Sequence, residues 1–75
     1  MLIQHSSNWF YEPLSEMEQQ VLQLTADEIA AYLIPYILYS SEATINEYWR
    51  RIKRKLRASN KVHAVAIALH LGIIH

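Results

Sequence analysis

The sequence predicts a small all-α domain of four helices, and three observations carry that prediction. Apolar residues recur at steps of three and four, with no alternation long enough to make a strand. Helix-start residues stand at Ser15, Ser41 and Asn60. Glycine occurs only at Gly72, and proline only at Pro13 and Pro35, so little interrupts helical backbone. A chain of 75 residues makes one domain near the lower limit for a self-sufficient core. With no cysteine, neither disulfides nor a thiolate metal site can supplement that core; dimerisation would.

Residues 1–13 read as an N-terminal arm whose aromatic cluster, Trp9-Phe10-Tyr11, docks on the body, and residues 14–75 as the domain proper. The first helix starts at Ser15, which with Glu18 has the spacing of a capping box. Met17, Val21, Leu22, Leu24 and Ile29 give it one apolar face. Where it stops is open in the sequence. Helix-forming residues run on to Leu33, yet Thr25 and Glu28 have the spacing of a second capping box that would start a new helix. Pro35 then either ends a helix near Leu33 and Ile34 or opens the next one. Tyr32, Tyr36 and Tyr39 would share a helical face, and their phenols are expected to pack in the core, with a binding surface as the alternative.

From Ser41 the pattern is clean. Ile45, Trp49, Ile52 and Leu56 form an i, i+4, i+7, i+11 stripe, which sends the intervening polar residues outward. Asn60 caps a fourth helix, in which Val62, Val65, Ala66, Leu69 and Ile73 make the apolar side and Gly72 the end.

Charge divides the chain. All seven acids lie at or before Glu47, and all seven Lys and Arg residues fall between Arg50 and Lys61, so a net charge of zero conceals a basic segment. Such a segment fits the electrostatic footprint of a nucleic-acid contact. The N-terminus lacks the basic and apolar regions of a secretion signal and no apolar run spans a bilayer, so a cytoplasmic protein with no membrane partner is expected.

The run SEATINEYWRRIKRKLRASNKVHAVAIALHLGII, from Ser41 to Ile74, resembles the second half of the LuxR-type (GerE-like) helix-turn-helix domain. Ser41, Thr44, Ile52, Lys55, Leu56, Ala64, Val65, Ala68, Gly72 and Ile74 match its pattern, and LSEMEQQVLQL from Leu14 looks like its first helix. Between Thr25 and Ser40 the chain diverges. Aligned without gaps, the family's turn glycine falls at Glu28 and the small residue of its second helix at Pro35; aligned with gaps, TADEIAAYL resembles the start of that second helix.

The resemblance implies a four-helix domain whose third helix enters the major groove of double-stranded DNA. Thr44, Asn46, Glu47, Arg50, Arg51, Arg54 and Lys55 are then the DNA-contact candidates. Arg50 and Arg51 suit guanine or phosphate, Thr44 and Asn46 hydrogen bonds to either, and Lys55 the backbone. Asn46 and Tyr48 replace the family's common Lys and His, and Glu47 sets an acid where phosphate comes close. Val62, Ala66, Leu69 and Ile73 are candidates for a homodimer interface through the last helix, with packing inside the monomer as the alternative.

No spacing suggests a catalytic triad or acid-base pair, so no enzyme is expected. His63 and His70 stand two turns apart without a third ligand, so neither a metal site nor a cofactor is expected. The function implied is that of a stand-alone bacterial transcription regulator without a sensory domain. The alternative is an interaction module that pairs with another LuxR-type regulator and reads DNA weakly or not at all.

Overall fold

The computed structural model describes residues 12–75, so the Trp9-Phe10-Tyr11 cluster and its expected docking lie outside the described residues. Among the described residues there are four α-helices and one 3-10 turn, and no strand. Helix α1 spans Glu16–Ala26. The capping box forms as its spacing predicts: Glu18 N–H donates to Ser15 Oγ at 3.1 Å, and Ser15 N–H donates to Glu18 Oε1 at 2.9 Å. Val21 and Leu22 are fully buried, while Met17 and Leu24 sit half-buried beside them.

Thr25 does not start a second helix. Its hydroxyl donates back to the Val21 carbonyl at 2.9 Å inside α1, and Glu28 adopts φ 66°, in the left-handed region, where no helix can continue. Glu28, where the ungapped correspondence sets the family's turn glycine, thus has the backbone conformation that glycine adopts most freely. After Glu28 a 3-10 turn over Ala31–Leu33 leads into the short α2, Ile34–Ile37, in whose first turn Pro35 stands. An amide there has no intrahelical acceptor, so proline removes no hydrogen bond and opens the helix.

The tyrosines of this segment correct the expectation that they fill the core. Tyr32 is 74%, Tyr36 78% and Tyr39 97% exposed, and Ile34 is the buried residue of α2. A helix of four residues offers one turn to the interior, and Ile34 takes it.

Helix α3 spans Glu42–Leu56 and is capped by Ser41, whose Oγ accepts from Thr44 N–H at 3.0 Å. All four residues of its stripe, Ile45, Trp49, Ile52 and Leu56, are buried. At about 2 kcal/mol for each side chain removed from water, this stripe is a principal contribution to folding. Helix α4, Lys61–His70, is capped by Asn60 Oδ1, which accepts from His63 N–H at 2.8 Å. Its core face is not the one its large side chains suggest. Ala64 and Ala68 are fully buried, whereas Val62 is 79% and Leu69 48% exposed. Both α1 and α4 pack on α3, α1 also meets α4, and α2 rests against α3. Among the described residues no helix is long and apolar enough to cross a membrane.

All four helices end in the same way. A residue of positive φ follows each last turn, and the amide after it reaches the carbonyl five residues back: Ile29 to Leu24, Ser40 to Pro35, Ala58 to Lys53 and Ile73 to Ala68, each at 2.9 to 3.0 Å. This is the Schellman geometry, which favours glycine at the left-handed position. Only Gly72 supplies it, whereas Glu28, Tyr39 and Arg57 adopt the same conformation with a Cβ.

Candidate nucleic-acid interface

A helix whose one side is packed must present the other, and successive residues turn by about 100°. With the stripe of Ile45, Trp49, Ile52 and Leu56 as reference, Glu47, Arg50, Arg51 and Arg54 lie within roughly 50° of the opposite direction. Thr44 and Lys55 fall on one flank of this outward face and Asn46 on the other. The structure thus brings the seven sequence-selected residues onto α3 but gives them different surroundings.

Arg50 is 65%, Arg54 54% and Arg51 44% exposed at the side chain, which leaves three guanidinium groups on a convex surface. Glu47 lies between them. Arg50 donates through Nε to Glu47 Oε1 at 3.2 Å and through Nη2 to Glu47 Oε2, and Arg51 Nε stands 3.6 Å from that second oxygen. The hydrogen bond from Arg50 holds the Glu47 carboxyl below its ordinary range; slight desolvation opposes it, and the charges of Arg50, Arg51 and Arg54 add to it. Glu47 in turn raises Arg50, chiefly through the same hydrogen bond. Arg54 has a weaker neighbour, Glu12 Oε1, at 3.7 Å.

Thr44 is half-buried, and its hydroxyl lies 2.9 Å from Ser41 Oγ, so part of its hydrogen-bonding capacity goes into starting the helix. Asn46 is exposed and borders a cleft of about 810 Å³ lined also by Tyr32, Tyr36, Trp49 and Lys61. Lys55, expected at the DNA backbone, is committed inward. Its Nζ donates to Glu18 Oε1 at 2.8 Å, and the two side chains are 16% and 2% exposed. Burial pushes the Glu18 carboxyl up, but hydrogen bonds from Lys55 and Ser15 together with the Lys55 charge outweigh it, so the group lies below its ordinary value of 4.5. The pair fastens the start of α1 to the last turn of α3 and so fixes the angle at which the outward face is presented.

Two features escaped the sequence reading. Lys61 stands over the Trp49 ring, 5.1 Å from its centroid, adding a cation at the start of α4 beside the cleft. The Glu47 clamp does have a local signal, since residues three and four apart on a helix are neighbours.

Of the interface residues expected on the last helix, Val62, Ala66 and Leu69 are exposed at i, i+4 and i+7 and share a face of α4. Ile73 is not on that face. The helix has ended at His70, Gly72 turns the chain at φ 75°, and Ile73 folds back half-buried against the core. His63 accepts from Ser59 N–H through Nδ1 at 3.1 Å, and no cluster of three potential metal ligands occurs among the described residues.

Comparison with known proteins agrees with this arrangement. A family profile described as bacterial regulatory proteins, luxR family, matches residues 12–68. The chain is 43% identical over 61 residues to the HTH-type quorum-sensing regulator RhlR of Pseudomonas aeruginosa, covering 81% of this chain and 25% of that protein. It is 41% identical over 61 residues to the transcriptional activator protein SolR of Ralstonia nicotianae, covering 81% and 26%. With the transcriptional activator protein PhzR of Pseudomonas fluorescens the identity is 43% over 60 residues, covering 80% and 25%. The chain thus spans about a quarter of the length of these curated relatives. A solved structure of the transcription factor GerE superposes with a TM-score of 0.78 at 26% identity, covering 83% of this chain and 92% of that one.

Proposed function

Since the chain belongs to the luxR family of bacterial regulatory proteins, a family of transcription regulators rather than enzymes, we propose that it controls transcription by setting the outward face of α3 in the major groove of duplex DNA. The observation that carries this reading is the pairing of two faces on one helix. The stripe from Ile45 to Leu56 is wholly buried, which holds the helix rigidly, while Arg50, Arg51 and Arg54 project from the other side. Arg50 and Arg51 are the principal contacts, with Asn46, Glu47 and Arg54 beside them and Thr44 at the helix start. Lys55 serves through Glu18, by orienting the helix.

Its four helices close a core among themselves, which supports a stand-alone regulator without a sensory domain. Two copies pair through Val62, Ala66 and Leu69 of α4, with Ile73 bracing the helix end from inside. A two-fold dimer of this kind sets two reading helices about one turn, ~34 Å, apart on DNA.

The test is a gel-shift titration against duplex DNA at about 50 mM and about 200 mM salt. Wild type is expected to bind with a steep salt dependence. Arg50→Ala combined with Arg51→Ala should weaken binding at least tenfold and flatten the log-log salt slope by about two. No binding by wild type at the lower salt overturns the reading.

One observation favours a second reading, pairing with another LuxR-type regulator. Tyr32, Leu33, Tyr36, Ile37 and Tyr39 form an exposed surface, and no charged residue occurs from Ile29 to Ser41. Aromatic enrichment with charge depletion characterises protein interfaces. Retention of such a partner in a pull-down, with regulatory activity unchanged in the arginine double variant, would favour this reading over the first.

A further inference from the structure

We propose that Glu47 is the specificity-determining residue of the α3 face, holding Arg50 with one guanidinium edge turned toward the bases while it opposes attachment to phosphate alone. The inference rests on the DNA-binding reading above and goes beyond it, because it concerns which DNA is held rather than whether DNA is held.

Three features of the site lead to it. The first is position: Glu47 lies within about 10° of the direction opposite the core stripe, so its carboxylate occupies the centre of the surface that meets a groove. The second is the form of the Arg50 pair. Glu47 takes the Nε and Nη2 edge of the guanidinium. A guanidinium carries five N–H donors, so two are used and the end-on fork formed by the two Nη groups keeps its outer protons. That fork matches O6 and N7 of guanine. Arg50 is therefore biased toward that orientation, and it loses less rotamer freedom on reading a guanine.

The third feature is charge. Glu47 also stands 3.6 Å from Arg51 Nε, so one carboxylate offsets part of the attraction that two arginines exert on any phosphate. Non-specific binding consists almost wholly of that attraction. Against a base edge the same carboxylate is no hindrance, since it accepts from the exocyclic amine of cytosine. Glu47 therefore weakens indiscriminate binding more than it weakens binding to a sequence that presents a guanine to Arg50 beside a cytosine amine. The preferred operator should contain such a step at the centre of each half-site.

The experiment compares wild type, Glu47→Gln and Glu47→Asp on two probes, a duplex of random sequence and a duplex enriched from a random pool by the wild type. Glu47 lies on the surface, so both variants should fold, which circular dichroism verifies. For Glu47→Gln the random duplex should be bound roughly fivefold more tightly at low salt, as expected for one charge removed at contact distance in water. Its log-log salt slope should steepen by about one, and the ratio of enriched to random affinity should fall at least tenfold. Glu47→Asp keeps the charge but shortens the arm, so it should retain the wild-type salt slope and lose part of the ratio. Unchanged random-duplex affinity and an unchanged ratio in Glu47→Gln overturn the inference alone. Failure of wild type and variant to bind either duplex overturns the DNA-binding reading, and this inference with it.

Discussion

Replacing Lys55 by Met removes the ammonium that faces Glu18 and leaves most of the aliphatic stem in place. The carboxylate left behind is 2% exposed and keeps one strong donor, the Ser15 amide at 2.9 Å. Stranding a buried charge typically costs 3–5 kcal/mol, and the 16% exposure of Lys55 argues for the lower end, about 3 kcal/mol. A chain of 75 residues has roughly 4–11 kcal/mol of total stability, so this variant should lose a large part of it. Glu18→Gln should cost less, about 1–2 kcal/mol, because an amide oxygen in the place of Oε1 still accepts from both Ser15 and Lys55 and only the charge is lost.

The pH dependence supplies the sign. In the wild type the Glu18 carboxyl lies below 4.5, so its stabilisation is complete above that value and is lost as pH falls through the lowered one. In Lys55→Met burial prevails, the carboxyl rises, and protonation relieves the stranded charge. The deficit of this variant relative to wild type is therefore greatest at neutral pH and shrinks toward about pH 3. Urea unfolding followed by far-ultraviolet circular dichroism at both pH values measures it. A Gln variant as damaged as the Met variant, or a Met deficit independent of pH, would refute the account of the pair.

Other expectations follow from the helix ends and the exposed faces. Glu28→Gly should relieve about 1 kcal/mol of left-handed backbone strain, less what glycine adds in unfolded-state entropy, and raise Tm by a few degrees in a thermal melt. A fall in Tm would show that the Glu28 side chain does more than occupy the turn. Leu69→Glu should leave helix content unchanged and convert a dimer to monomer in sedimentation equilibrium. Unaltered mass in a dimeric wild type would remove this face of α4 from the interface.

The parts of this molecule legible in the sequence are those whose signal is local. The stripe of α3 is spaced so regularly that no other face could be buried, and Ser15, Ser41 and Asn60 cap where their side-chain chemistry requires. The segment from Thr25 to Ser40 was illegible because its decisive event is a glutamate in a glycine conformation. Nothing about Glu28 announces positive φ, and its spacing from Thr25 imitates a capping box. The core face of α4 was hidden for a different reason. Apolar residues surround most of that helix, and packing selected the small ones, Ala64 and Ala68, over the large. At the site, the spacing of the arginines on α3 placed them correctly on the outward face. The commitment of Lys55 to Glu18 joins residues 37 positions apart and has no local trace.

One further contact concerns how the chain arrives at the domain. Before α1 begins, Glu12 N–H donates to the Lys55 carbonyl at 3.3 Å and its carboxylate stands 3.7 Å from Arg54. The incoming polypeptide is thus moored to the final turn of α3, ahead of any contact its own helix makes. A force on the backbone at Glu12 would pass through that mooring to the tilt of the rod that carries Arg50 and Arg51. Mechanically, Glu12 holds α3 like a hand on a tiller.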